Sequence, residues 1–215
     1  PWDFTYNDGT NSIPVTALTS PYTIPNGVDG TYTVTSVEDA NGCVGSSTTS
    51  VDISTNPLPT AIISGTAVIC AGETAPDVTI DLTGTGPWTG NYFIDGTVTP
   101  FSSSSSPFVI PGAADGVYTL QNVSDDNCAG IGSGLATITT NPLPEATVSG
   151  GGPYCSGETF PIVTIDLIGT SDWNLTYTDG INLPVSVTVS SSPFLITSGA
   201  DANYSVVSLT DATTC

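Results

Sequence analysis

In the stretch "VTIDLTG", Val78, Ile80 and Leu82 alternate with Thr79, Asp81 and Thr83. A period of two marks a half-buried β-strand. Similar short runs surround it: "TAIISG" from Thr60, "WTGNYFI" from Trp88, "PFVIPG" from Pro107, "GVYTLQNV" from Gly116 and "GLATITT" from Gly134. No stretch carries a helical period. Asp95-Gly96 is a hairpin signal of the primed-turn type, and Asp8-Gly9 and Asp179-Gly180 stand at matching points. About six or seven short strands separated by turn signals predict an antiparallel β-sandwich. Val78, Ile80, Leu82, Trp88 and Tyr118 are its expected core.

The pattern recurs along the chain. Trp2, Trp88 and Trp173 are equivalent, "NPLP" begins at Asn56 and Asn141, and "VTIDLTG" matches "VTIDLIG" from Val163. The period is about 85 residues, enough for a small domain with its own core. Asn-Pro and Leu-Pro make stiff, donor-poor linkers. With that frame, 56–140 is one complete repeat. Residues 1–55 are the back part of another, and 141–215 the front part of a third. The window then reads as a stretch of a longer array, or as subunits that complete one another's sandwiches. The absence of Met agrees with a processed product or an internal window.

Three versions of one segment identify the type of sandwich: "SPYTIPNGVDGTYTV" from Ser20, "SPFVIPGAADGVYTL" from Ser106 and "SPFLITSGADANYSV" from Ser192. Tyr32 and Tyr118 each follow an Asp-Gly pair, Asp29-Gly30 and Asp115-Gly116. This resembles the tyrosine corner of immunoglobulin-like sandwiches, in which the phenol bonds back to the preceding loop. Tyr204 and Asp201 keep the pattern, but Ala202 replaces the glycine. Val34, Leu120 and Val206 stand where antibody domains carry a core cysteine, so that disulfide is absent.

Charge narrows the function. The chain has 20 acidic side chains and no Lys, Arg or His, a net charge of -20. Phosphate contacts need Lys and Arg, so nucleic acid is excluded as a partner. A polybasic membrane patch is excluded likewise, and no apolar run reaches the roughly 18 residues of a membrane span. Without His or Lys there is no base for a hydrolytic triad. The scattered carboxylates read as turn formers and solubilising charges, so no enzyme activity is expected.

Five cysteines fall into two classes. Cys70 and Cys155 open "CAGET" and "CSGET", whereas Cys43, Cys128 and Cys215 follow the tyrosine strand. No metal pair of the CxxC kind occurs, so disulfides in an oxidising compartment are expected. Pairing within repeats gives Cys70–Cys128 and Cys155–Cys215. Pairing across the linker gives Cys43–Cys70 and Cys128–Cys155. The first is preferred because it fastens the front of each unit to its back.

The order of motifs, and "GTYTVTSVEDANGC" from Gly30 to Cys43 above all, resembles the immunoglobulin-like repeats of large secreted Bacteroidetes surface proteins of the gliding-motility adhesin type. The resemblance covers the whole chain. It implies secretion, tandem arrays and display on the bacterial cell surface.

Other candidate sites are few. Asp125 and Asp126 are a weak candidate for calcium, which takes oxygen ligands; no other cofactor is expected. Asn122, Asn174 and Asn203 lie in N-x-[ST] sequons, and Ser102, Ser103, Ser104, Ser105 and Ser106 form a polar loop, so covalent glycans are expected there. The functional expectation is a structural segment of an extracellular fibre or stalk, joined end to end with itself. The alternative is an adhesin module that binds a glycan or a protein on a host surface.

Overall fold

The computed structural model describes residues 1–215, and its elements are all strands. The chain divides into two compact units, Pro1–Leu58 and Pro59–Cys215.

In the first unit, β1 (Trp2–Asn7), β2 (Ser12–Ala17), β3 (Gly30–Asp39), β4 (Val44–Gly45) and β5 (Ser50–Ile53) form one antiparallel sheet. Its order is β2-β1-β3-β4, and β5 also pairs with β3.

The second unit begins with β6 (Thr60–Ser64), β7 (Ala67–Cys70), β8 (Val78–Leu82), β9 (Trp88–Ile94), β10 (Thr97–Ser103), β11 (Phe108–Ile110), β12 (Gly116–Ser124) and β13 (Ala129–Asn141). The order β10-β9-β12-β13-β6-β8-β11 makes two layers joined through β13. Val78, Ile80, Leu82, Trp88 and Tyr118 lie in the core with Ala61, Ile63, Tyr92, Phe101, Val123 and Ile138. Burying each large aliphatic side chain contributes about 1.5–3 kcal/mol. The alternation in "VTIDLTG" is therefore the inward and outward face of β8.

Two features differ from expectation. First, the sandwich is not wholly antiparallel. Ile131–Gly134 of β13 runs parallel to β6, and Ile138–Asn141 runs parallel to β7. Second, β13 starts at Ala129, five residues before the apolar run that marked it. Gly130, Gly132 and Gly134 occupy those residues because the neighbouring chain is too close for side chains. A Cβ on Gly130 would stand 1.9 Å from the Pro59 carbonyl oxygen, and one on Gly134 would stand 2.4 Å from that of Ile63. Glycine has no side chain to alternate, so the strand's start is silent to periodicity.

The rest of the unit contains β14 (Glu145–Gly150), β15 (Val163–Ile168), β16 (Trp173–Thr178), β17 (Val185–Val189), β18 (Phe194–Ile196) and β19 (Ser205–Thr210). They make two three-stranded sheets, β14-β15-β18 and β17-β16-β19. Val163, Ile165, Leu167, Trp173, Leu175, Val189 and Ile196 pack between them.

The Asp-Gly pairs behave in two ways. Asp95 and Gly96, with φ of +49° and +83°, form a two-residue turn between Ile94 and Thr97. The other two turns are longer. There Asp8 Oδ1 accepts the amides of Thr10 and Asn11, and Asp179 Oδ1 those of Ile181 and Asn182. Asn11 and Asn182 make the difference, each adding a side-chain bond to its aspartate.

Candidate functional site

The three tyrosines form the same local bond. Tyr118 Oη donates to the Ala114 carbonyl at 2.8 Å, Tyr204 to Ala200 at 3.2 Å and Tyr32 to Val28 at 2.9 Å. Tyr204 makes it without the glycine. The aspartate before the corner has a task that the sequence reading missed. Asp115 accepts the backbone amide of Thr140 at 3.0 Å and its hydroxyl at 2.6 Å; Asp29 does the same for Thr55 at 3.0 and 2.8 Å. Each clamp holds the chain just before "NPLP". The signal was present, since Thr55 and Thr140 precede the linker in both copies.

The cysteines define the joint between the two repeats of the second unit. Cys70 is bonded to Cys215, 145 residues away. This corrects the preferred pairing: Cys70–Cys128 and Cys155–Cys215 are not formed, and the bond runs between repeats instead of within one. The alternative pair Cys43–Cys70 is excluded with them. The physical reason is strand length. Cys128 immediately precedes β13, whereas Cys70 is the register partner of Asn141, its last residue. A 13-residue strand separates them, about 40 Å at 3.3 Å per residue. Two cysteines at opposite ends of one sandwich cannot meet, since a disulfide needs Cα atoms within about 7 Å. Cys215, by contrast, lies at the incoming end of its own repeat. Its turn begins at Asp211, and a Cβ on Gly169 would stand 2.9 Å from Asp211 Oδ2 and 3.1 Å from Cβ of the linker residue Pro144. Cys43 and Cys155 carry exposed thiols.

Asp125 serves the turn before Cys128. Its Oδ1 accepts the amides of Asn127 and Cys128, and its Oδ2 that of Thr85. These backbone bonds, Thr85 foremost, lower its pKa from the ordinary value. No group of three or more metal-ligating side chains is gathered around it or elsewhere.

The glycan candidates divide. Asn122, Asn174 and Asn203 are exposed, as are Ser102, Ser104 and Ser105. Ser103 binds Ser105 across the loop. Ser106 Oγ is occupied, accepting the Leu82 amide at 2.8 Å.

On the first unit, Trp2, Tyr6, Ala17, Tyr22, Ile24 and Val34 line an open apolar groove of about 370 Å³. Trp2 is 40% exposed, against 9% for Trp88 and 6% for Trp173. The equivalent face of the complete repeat lies under β6 and β8.

No family model matches the chain, and no curated protein matches it. Among solved structures, an I-band fragment from titin aligns with a TM-score of 0.51 at 13% identity, covering 87% of this chain and 71% of that one. A mutated variant of the same three titin domains aligns at 0.49 and 14% identity, covering 87% and 71%. Sidekick-1 immunoglobulin domains 1–5 align at 0.33 and 12% identity, covering 96% and 51%. The likeness to titin is one of fold, and with the tyrosine corners it defines the class: tandem immunoglobulin-like β-sandwich repeats.

Proposed function

We propose that this chain is a non-enzymatic structural segment of a long extracellular fibre or cell-surface stalk, of the kind found in secreted Bacteroidetes surface proteins of the gliding-motility adhesin type. The observation that carries the reading is the covalent tie between successive repeats. The Cys70–Cys215 bond runs beside the Pro142–Pro144 linker, so two links span one joint. A double link resists bending and extension, which suits a load-bearing rod. Disulfides persist in oxidising, extracellular compartments, which supports a secreted location. Like charge on every repeat favours an extended array, because adjacent repeats repel at close range even with a Debye length of about 10 Å at 0.1 M salt. Glycans on exposed Ser, Thr or Asn complete the surface of such a fibre.

The groove on the first unit does not favour the adhesin alternative. It matches the sheet face that β6 and β8 cover in the complete repeat, so it is core surface by type.

Electron microscopy of the native material tests the proposal. A fibre has an axial spacing of about 35–40 Å per sandwich, from strands rising about 3.3 Å per residue. Globular clusters, or a spacing far below the domain length, overturn it.

A further inference from the structure

The end strand of one sheet is closed by proline in two repeats and open in the third. β2, β10 and β17 each end their sheet, pairing with β1, β9 and β16 alone. Because β10 ends the sheet of the complete repeat too, this edge is a feature of the repeat itself. Three residues after each tryptophan, Thr5, Asn91 and Thr176 stand opposite Pro14, Pro100 and Ser186.

Pro14 and Pro100 show which way that position faces. Proline has no amide to give its neighbour, so in a sheet it is confined to the outward side of an edge strand. The Asn91 amide agrees: it donates to Asn122 Oδ1 on β12, away from Pro100, at 3.0 Å. The two members of such an antiparallel pair turn their backbone groups away from each other. Ser186, at the same register point, therefore turns its N–H and carbonyl outward, and so does Thr188 two residues on. Their side chains are already engaged with β16. Ser186 Oγ meets Thr176 Oγ1 at 2.9 Å, and Thr188 Oγ1 donates to Asn174 Oδ1 at 3.1 Å. The edge that is left is main chain.

No charged residue lies between Asp179 and Asp201. Beside the edge, Ile181, Leu183 and Val185 are 69%, 89% and 44% exposed. β2 and β10 are equally free of charge, so the missing proline is what sets β17 apart. An open, neutral edge with apolar neighbours is a template for another strand.

We propose that β17 pairs with β17 of a second copy, antiparallel, across a two-fold axis. The strand VSVTV is its own complement. With Val187 opposite Val187, Val185 meets Val189 and Ser186 meets Thr188. Ser186 and Thr188 then exchange amide-to-carbonyl bonds with Thr188 and Ser186 of the second copy. The three-stranded sheet continues across the axis as β19-β16-β17-β17-β16-β19. Such a contact is isologous, so it closes as a dimer. Charge selects the occupant. Two copies with a net charge of -20 repel elsewhere, and along this strip they oppose no carboxylates. A basic peptide, drawn by the net charge, finds no acidic side chain on it. The proposal does not rest on the fibre reading, since single chains and joined ones carry the same edge.

Sedimentation of the intact chain over a range of concentrations, with its free thiols alkylated, provides the test. A monomer–dimer equilibrium is expected. It tightens with salt, as the Debye length falls from about 30 Å at 0.01 M to about 10 Å at 0.1 M. Ser186→Pro gives β17 the residue that β2 and β10 already accommodate, so the melting temperature of the dilute chain should change little. The dimer should weaken by at least about tenfold in Kd as backbone bonds are lost. Ser186→Glu keeps the amide but sets like charges across the axis, and should also give monomers. Hydrogen exchange on peptic peptides should slow with concentration only where the peptide contains β17. A chain still monomeric at about 1 mM, a dimer that survives both substitutions, or slowing confined to another strand overturns the proposal. Slowing of β17 only when oligolysine is added also overturns it and assigns the edge to a basic partner. Filaments without β17 pairs leave the fibre reading standing; β17 pairs without filaments leave the pairing standing.

Discussion

Ser106 Oγ accepts the Leu82 backbone amide at 2.8 Å, and Ser192 Oγ accepts that of Leu167 at the same distance. Each serine ties the end of the VTIDL strand to the loop after the second hairpin strand. Ser106→Ala leaves the partly buried Leu82 amide without this partner. The expected loss is about 1–2 kcal/mol, measured as the shift in denaturant midpoint. Ser104→Ala, on an exposed residue of the same loop, should change stability by less than about 0.5 kcal/mol. Equal effects would show that the Ser106 bond contributes nothing.

The tyrosine corners can be ranked. Tyr118 is 1% exposed and bonds Ala114 at 2.8 Å, whereas Tyr204 bonds Ala200 at 3.2 Å. Removing the hydroxyl with Tyr118→Phe should cost about 1 kcal/mol. Tyr204→Phe should cost less, because its bond is longer. Paired thermal melts of the two variants check the order.

Gly130→Ala should be among the most damaging single changes in the complete repeat. Its Cβ meets the Pro59 carbonyl oxygen at 1.9 Å, a backbone atom that no side-chain rotation can move aside. A loss above about 3 kcal/mol is expected, in the range of severe core defects. At Gly112, where an added Cβ meets nothing within 4 Å and φ is +57°, the same change costs only the backbone strain, about 1 kcal/mol. Comparable melting temperatures for the two variants would contradict the close approach.

Acid should weaken the fold through its turn aspartates. Asp39 and Asp125 have lowered pKa values because backbone amides, of Cys43 and Thr85 first, bond their carboxylates. Asp211 is lowered chiefly by the Thr213 hydroxyl. Groups lowered on folding contribute stability that is fully present above the unfolded pKa, about 3.9 for Asp. That stability is lost as pH falls through the folded value. The melting temperature should therefore hold between about pH 7 and pH 5 and drop below about pH 4. Loss of net negative charge acts the other way by relieving self-repulsion. Asp125→Asn cannot titrate, so its melting temperature should approach that of the unaltered chain as the solution is acidified. A gap that is constant with pH would show that the Asp125 charge plays no part.

Local patterns determined much of this protein by themselves. Alternation placed Val78, Ile80 and Leu82 inward, Asp95-Gly96 set its hairpin, and the tyrosine segment marked the corner in all three copies. Each depends on residues within a few positions of one another, where side-chain direction and backbone sterics act directly. The candidate site was legible only in part. The two classes of cysteine were visible, but not their partners, because pairing depends on which end of a sandwich each one occupies. Only the tertiary structure decided that Cys70 and Cys128 lie at opposite ends of β13, and that Cys70 therefore meets Cys215 across the joint. It also decided the start of β13, where Gly130 and Gly134 accommodate the chain from Pro59 to Ile63, Gly132 accommodates Leu120 of β12, and no side-chain period is left to read.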